Sequence, residues 1–128
     1  MANSMNKILL VEDEEAILFA FKKVLSVPSV LVDTAKSVEE ARAHLESGEY
    51  DAVIADLRLS DATTIEGFEV ISTTRRLQTR CTIIVLTAYG KSDTREKVFE
   101  LGANYYLEKP ISPQKIKELL QDLSIMPQ

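Results

Sequence analysis

The chain has 128 residues and carries 15 basic and 20 acidic side chains, for a net charge of −5; 45% of it is hydrophobic and 27% charged. Those proportions predict a single globular domain over residues 1–128, with its core at about 6–124, and exclude a disordered chain. One Cys and one His exclude a disulfide framework and any Cys- or His-rich metal motif, so carboxylates must hold any metal, which selects a hard cation. The acidic balance argues against direct nucleic-acid binding. With no long apolar run and no signal-peptide pattern, the chain is expected in the cytoplasm, away from membranes.

In chain order, the first apolar run is Lys7–Val11 (KILLV). It is too short for a helix and ends at Glu12-Asp13-Glu14-Glu15. Ile17, Phe21, Val24 and Leu25 follow at helical spacing. A second run, Val30–Asp33, precedes Ser37-Val38-Glu39-Glu40, which has the form of a capping box. Val38, Ala41 and Leu45 then share one helix face, and Gly48 stands where that helix should stop. The third run, Ala52–Asp56, leads into a third helix at about Glu66–Gln78. The fourth, Thr82–Thr87, leads into a fourth helix at about Asp93–Leu101, closed by Gly102. The fifth, Ala103–Glu108, precedes Lys109-Pro110 and a helix opened by Ser112-Pro113, with Ile116, Leu119, Leu120 and Leu123 on one face.

Strand and helix therefore alternate five times. That pattern predicts an α/β fold: a parallel sheet covered by helices on both faces, with the first four strands buried on both sides. Such sheets bind ligands beyond the carboxyl ends of their strands. Glu12 and Asp13, Asp56, Thr87 and Lys109 all fall at those ends. Each has an ordinary explanation alone. Acidic residues suit a helix start, an Asp often begins a turn, Thr is a good strand former, and a loop Lys is usually solvated. Together they place three acidic groups, a hydroxyl and an ammonium on one rim. Carboxylates held that close need a cation, and Mg²⁺ with a few carboxylates and waters suits phosphoryl transfer to an Asp nucleophile.

The stretches KILLVEDE (7–14), AVIADLRL (52–59), IIVLTAYG (83–90) and GANYYLEKP (102–110) resemble the receiver domain of two-component response regulators. The resemblance runs from about Lys7 to Leu123. It implies a flavodoxin-like five-stranded sheet of order 2-1-3-4-5. It implies that Asp56 takes a phosphoryl group from the phosphohistidine of a sensor histidine kinase or phosphotransfer protein. The implied ion is Mg²⁺ or Mn²⁺. Asp13 and Asp56 would bind it directly, Glu12 through a water, and Arg58 through its backbone carbonyl. Lys109, with a cis bond to Pro110, and Thr87 would bind the phosphoryl oxygens. Tyr106 would change rotamer with Thr87, and the surface of the fourth helix, fifth strand and fifth helix would switch. That surface would serve a downstream target or a dimer. The domain would catalyse only its own phosphorylation and dephosphorylation. Its output would come from a partner or from a domain outside this sequence.

Two departures from the family pattern stand beside the site. Ser60 stands near a common proline position, and Leu59–Gly67 (LSDATTIEG) is about three residues longer than usual. Asp61, Thr63 and Thr64 in that loop would border the metal and the kinase approach. Arg58 and Tyr89, two residues beyond Asp56 and Thr87, stand where the resemblance implies positions that tune the lifetime of the acyl phosphate, and a bulky Arg and Tyr there would shield it from water. The alternative within the same fold is a pseudo-receiver that binds protein without phosphorylation. Gly90-Lys91-Ser92 imitates the end of a P-loop, but Val85 stands where that motif needs a glycine. A haloacid-dehalogenase-type phosphatase needs a second Asp where this chain has Arg58. His44 reads as a surface residue and Cys81 as a small buried hydrophobe.

Overall fold

A computed structural model of the chain describes residues 5–57, 65–88 and 92–128, with the side chains at 65 and 92 left aside. The elements alternate as β1 (Asn6–Val11), α1 (Glu15–Leu25), β2 (Val30–Ala35), α2 (Val38–Ser47), β3 (Ala52–Asp56), α3 (Ile65–Leu77), β4 (Thr82–Thr87), α4 (Ser92–Leu101), β5 (Tyr105–Glu108) and α5 (Pro113–Asp122). The strands form one parallel sheet of order β2-β1-β3-β4-β5.

The sheet buries side chains on both faces. On one face, Ile8, Leu10, Ile54, Ile84 and Leu86 pack with Leu18, Phe21 and Leu25 of α1 and Ile116 and Leu120 of α5. On the other, Leu9, Val11, Val53 and Ala55 meet Val38, Ala41 and Leu45 of α2 and Val70 of α3, while Leu57, Ile83 and Val85 meet Ile71 and Val98. This two-sided burial explains the near-continuous apolar runs of β1, β3 and β4. The expectation fails for β2. It is an edge strand that alternates, and Leu31 is 43% exposed. Val-Leu-Val has the same apolar character whether a strand lies inside the sheet or at its edge.

The caps follow their chemistry with two adjustments. Ser37 Oγ accepts from the Glu40 amide, but Glu40 Oε1 takes the Lys36 amide rather than that of Ser37, so the capping box closes one residue early. Gly48 is extended rather than left-handed, and its amide simply bonds the His44 carbonyl. Ser112 Oγ accepts from the Lys115 amide with Pro113 in the first turn of α5. At the end of α4, Gly102 adopts φ +118°, and the Gly102 and Ala103 amides bond the Phe99 and Val98 carbonyls. That is a full Schellman closure.

His44 is half-buried at the surface, its Nε2 3.0 Å from the Thr34 carbonyl. Cys81 is buried immediately before β4, and burial pushes its thiol up to about 12, so it is an inert hydrophobe.

Candidate phosphoryl-acceptor and cation site

Register decides which residues meet at the rim. Val11 pairs with Ala55 and Asp56 with Leu86, so Glu12 and Asp56 leave the sheet at the same level. Thr87 pairs with Glu108, and the Thr87 carbonyl accepts the Lys109 amide at 2.7 Å. That bond turns Lys109 inward as β5 ends, ahead of the cis Lys109–Pro110 bond.

The result is a compact charged cluster. Lys109 Nζ donates to Asp56 Oδ2 at 3.0 Å and lies 3.6 Å from Glu12 Oε1. Glu12, Asp13 and Asp56 each offer a carboxylate oxygen, and these lie within 4.8 Å of one another. Glu12 and Asp56 are 5% and 6% exposed. The Glu14 amide donates to Glu12 Oε2 and fixes that carboxylate as α1 begins.

Burial first, and then the charge of Asp56, push the Glu12 carboxyl up to about 7. Burial alone would lower the Lys109 ammonium, but the bond to Asp56 and the charges of Asp56 and Glu12 outweigh it and raise it. Among the described residues, one ammonium thus stands among three carboxylates. A hard divalent cation fits the surplus negative charge and the all-oxygen donor set.

The description "Response regulator receiver domain" belongs to the family whose pattern matches residues 8–121. The chain belongs to that family. It is 32% identical over 113 residues to the photosynthetic apparatus regulatory protein RegA of Cereibacter sphaeroides, covering 88% of this chain and 60% of RegA. It is 34% identical over 118 residues to the transcriptional regulatory protein TcrA of Mycobacterium tuberculosis, covering 92% of this chain and 46% of TcrA. The chain therefore spans only part of these relatives. Among solved structures, a CheY-like receiver domain protein from Methanospirillum hungatei superposes with a TM-score of 0.84 at 27% identity, covering 94% of each chain.

The remaining sites expected from sequence divide between those in view and those outside it. Thr87 ends β4 and is buried at the rim. Tyr106 is half-buried on β5 against the Leu57, Val85 and Val98 cluster, its ring 6.4 Å from that of Phe99 on α4. Arg58, Ser60, Asp61, Thr63, Thr64, Tyr89, Gly90 and Lys91 lie outside the described residues.

Sequence reasoning missed what stands behind the receiver's rim. Gly67, inside α3, is packed so closely on the end of β3 that a Cβ there would lie 2.1 Å from the Leu57 carbonyl oxygen. Its signal was a glycine in the first turn of a helix, where glycine is otherwise a poor choice. Beside Lys109, Ile17 and Phe21 of α1 join Leu86, Pro110 and Ile111 around a cleft of about 440 Å³. Among the described residues, no helix is long and apolar enough to cross a membrane.

Proposed function

We propose that this receiver accepts a phosphoryl group on Asp56 from the phosphohistidine of a sensor kinase or phosphotransfer protein. The observation that carries the reading is Asp56 itself: a buried carboxylate with Lys109 Nζ at 3.0 Å and two further carboxylates within cation-sharing distance.

In the step, an Asp56 carboxylate oxygen attacks phosphorus, an O–P bond forms and the N–P bond of the donor breaks. The electron pair leaves with the imidazole. Lys109 stays protonated and neutralises phosphoryl oxygens, the electrostatic role that dominates phosphoryl transfer. Asp13 and Asp56 would hold Mg²⁺ or Mn²⁺ directly and Glu12 through a water, with the Arg58 carbonyl completing the set in the family pattern. Bound there, the ion neutralises the transferring phosphoryl group.

The product adds negative charge at a rim whose donors are Lys109 and the Thr87 hydroxyl. Movement of Thr87 toward it would draw Tyr106 and α4, so the face formed by α4, β5 and α5 becomes the output surface, for a target protein, a second copy or a following domain. Arg58 and Tyr89 would shield the acyl phosphate from water, and Asp61, Thr63 and Thr64 would border the approach of metal and donor.

The test is intact mass after incubation with Mg²⁺ and acetyl phosphate. One added phosphoryl group is expected in the wild type and none in Asp56→Asn. A wild type that neither gains mass nor binds Mg²⁺ overturns the reading and leaves a phosphorylation-independent binding module.

A further inference from the structure

The end of the sheet opposite the rim holds a side chain whose bonding exceeds what one helix end requires. Arg75, in the last turn of α3, has five N–H donors, and five bonds are present. Nε and Nη2 donate to the Gly102 carbonyl at 3.2 and 2.8 Å, and Nη2 also donates to Asn104 Oδ1 at 3.0 Å. Nη1 donates to the Gln78 and Thr79 carbonyls at 3.2 and 3.1 Å. Asn104 Oδ1 also accepts the Ile83 amide at 2.8 Å. One guanidinium therefore ties the end of α3, the end of α4, the entry to β5 and the start of β4.

Gly102 is fitted to this contact. Its φ is +118°, and a Cβ there would lie 2.8 Å from Arg75 Cγ. The rest of α4 is held unevenly, with its one fully buried described side chain in the distal half. Val98 is fully buried and Leu101 half-buried in the distal half, although Phe99 and Glu100 there face outward; in the half nearer the rim only Thr94 is half-buried and Asp93, Arg95, Glu96 and Lys97 are exposed. A helix anchored at one end and exposed at the other has low local stability at the exposed end.

We propose that Arg75 is a positioning residue that pins the distal end of α4, so that α4 moves by pivoting about Gly102 when the rim changes charge. The inference rests on the phosphorylation reading and deepens it: it says which part of the output surface moves and which stays. Phe99 sits one turn from the pivot and packs on Tyr106, so a pivot changes the rim half of α4 while keeping this contact near its hinge.

The test is amide hydrogen exchange in the wild type, Arg75→Met and Arg75→Lys, each with and without beryllofluoride and Mg²⁺ as an acyl-phosphate mimic. In the wild type, the mimic should alter exchange at residues 93–97 and leave the Gly102 and Ala103 amides protected. In Arg75→Met, the change should reach Gly102 and Ala103, which exchange at least about tenfold faster, while β1 and β3 keep their protection. Arg75→Lys keeps the stem and the charge but loses the fork; it should fall between the two, and it carries the test if the Met variant does not fold. A wild type responding equally along α4, or variants that respond like the wild type, overturn the pin alone. A wild type in which no α4 amide responds overturns the switching reading and the pin with it.

Discussion

The two ends of the sheet solve the problem of buried polarity in opposite ways. At the rim, Glu12 and Asp56 are buried beside each other with one ammonium between them, and Glu12 is forced up to about 7. At the opposite end, the buried Gln78 accepts from the Tyr50 amide at 2.6 Å and donates to the Leu45 and Gly48 carbonyls at 3.0 and 2.7 Å. Gln78 and Arg75 there donate to neutral carbonyl oxygens of the backbone and of Asn104, and Arg75 is matched donor for donor. Charge crowded at the rim is a readiness to take a cation and then a phosphoryl group. Saturated bonding to neutral acceptors around Gln78 and Arg75 supplies rigidity at the far end. Stability and function are thus separated along the strands, as expected where a reactive site is built at the cost of local stability.

The sharpest way to break this division is at Gly67, where the backbone supports the rim. Alanine there would press on the carbonyl, carbon and Cα of Leu57, all backbone atoms directly after Asp56. Nothing flexible is available to yield. Gly67→Ala should cost at least about 3 kcal/mol in urea unfolding and, by displacing Asp56, slow adduct formation with acetyl phosphate. A variant with wild-type stability and phosphorylation would show that α3 is not seated against the acceptor strand.

Gln78→Ala attacks the other end. It leaves the Tyr50 amide and two carbonyls without their partner, at a cost of about 2–3 kcal/mol. The asymmetry is the test: melting temperature should fall, while the rate of phosphorylation of the folded protein stays at the wild-type value. A rate that falls with stability would mean that the two ends are not independent.

The rim was far more legible in the sequence than the far end. Strand-end position alone brings Glu12, Asp13, Asp56, Thr87 and Lys109 together, because parallel register carries successive strand ends to one edge. The Ser37 and Ser112 caps are local and were equally readable. Arg75 and Gln78 were not, since the partners that tie them across the fold lie about 30 residues away and no spacing marks a carbonyl acceptor. The end of α5 was also hidden. Ser124 adopts φ +61°, and the Ser124 and Ile125 amides bond the Gln121 and Leu120 carbonyls. This is the same closure as at Gly102, but without a glycine to announce it. Burial of Ile125 and Met126 beside Leu120 accompanies that turn, and no helical periodicity extends that far.

The smallest expected effect runs against intuition, because removing the acceptor should favour the fold increasingly as pH rises. Glu12 titrates near 7 in the folded chain against 4.5 ordinarily. Its contribution to stability is therefore complete below about pH 4.5 and is lost as pH rises through about 7. Lys109 is raised instead, so its contribution is constant across that window and is lost only in strong base. Burial remains in Asp56→Asn, but the second cause of the Glu12 shift is gone. Asp56→Asn also loses the bond to Lys109, a cost that stays constant across this window. Without metal, its stability relative to the wild type should therefore rise by about 1 kcal/mol between pH 5 and pH 8. Urea unfolding at the two pH values reads it directly. Millimolar Mg²⁺ should oppose that rise by stabilising the wild type, since a cation bound only to the folded state adds to its stability. If the stability of Asp56→Asn relative to the wild type does not rise between pH 5 and pH 8, the rim is not strained by its own charge, and the contrast with the far end must rest on packing alone.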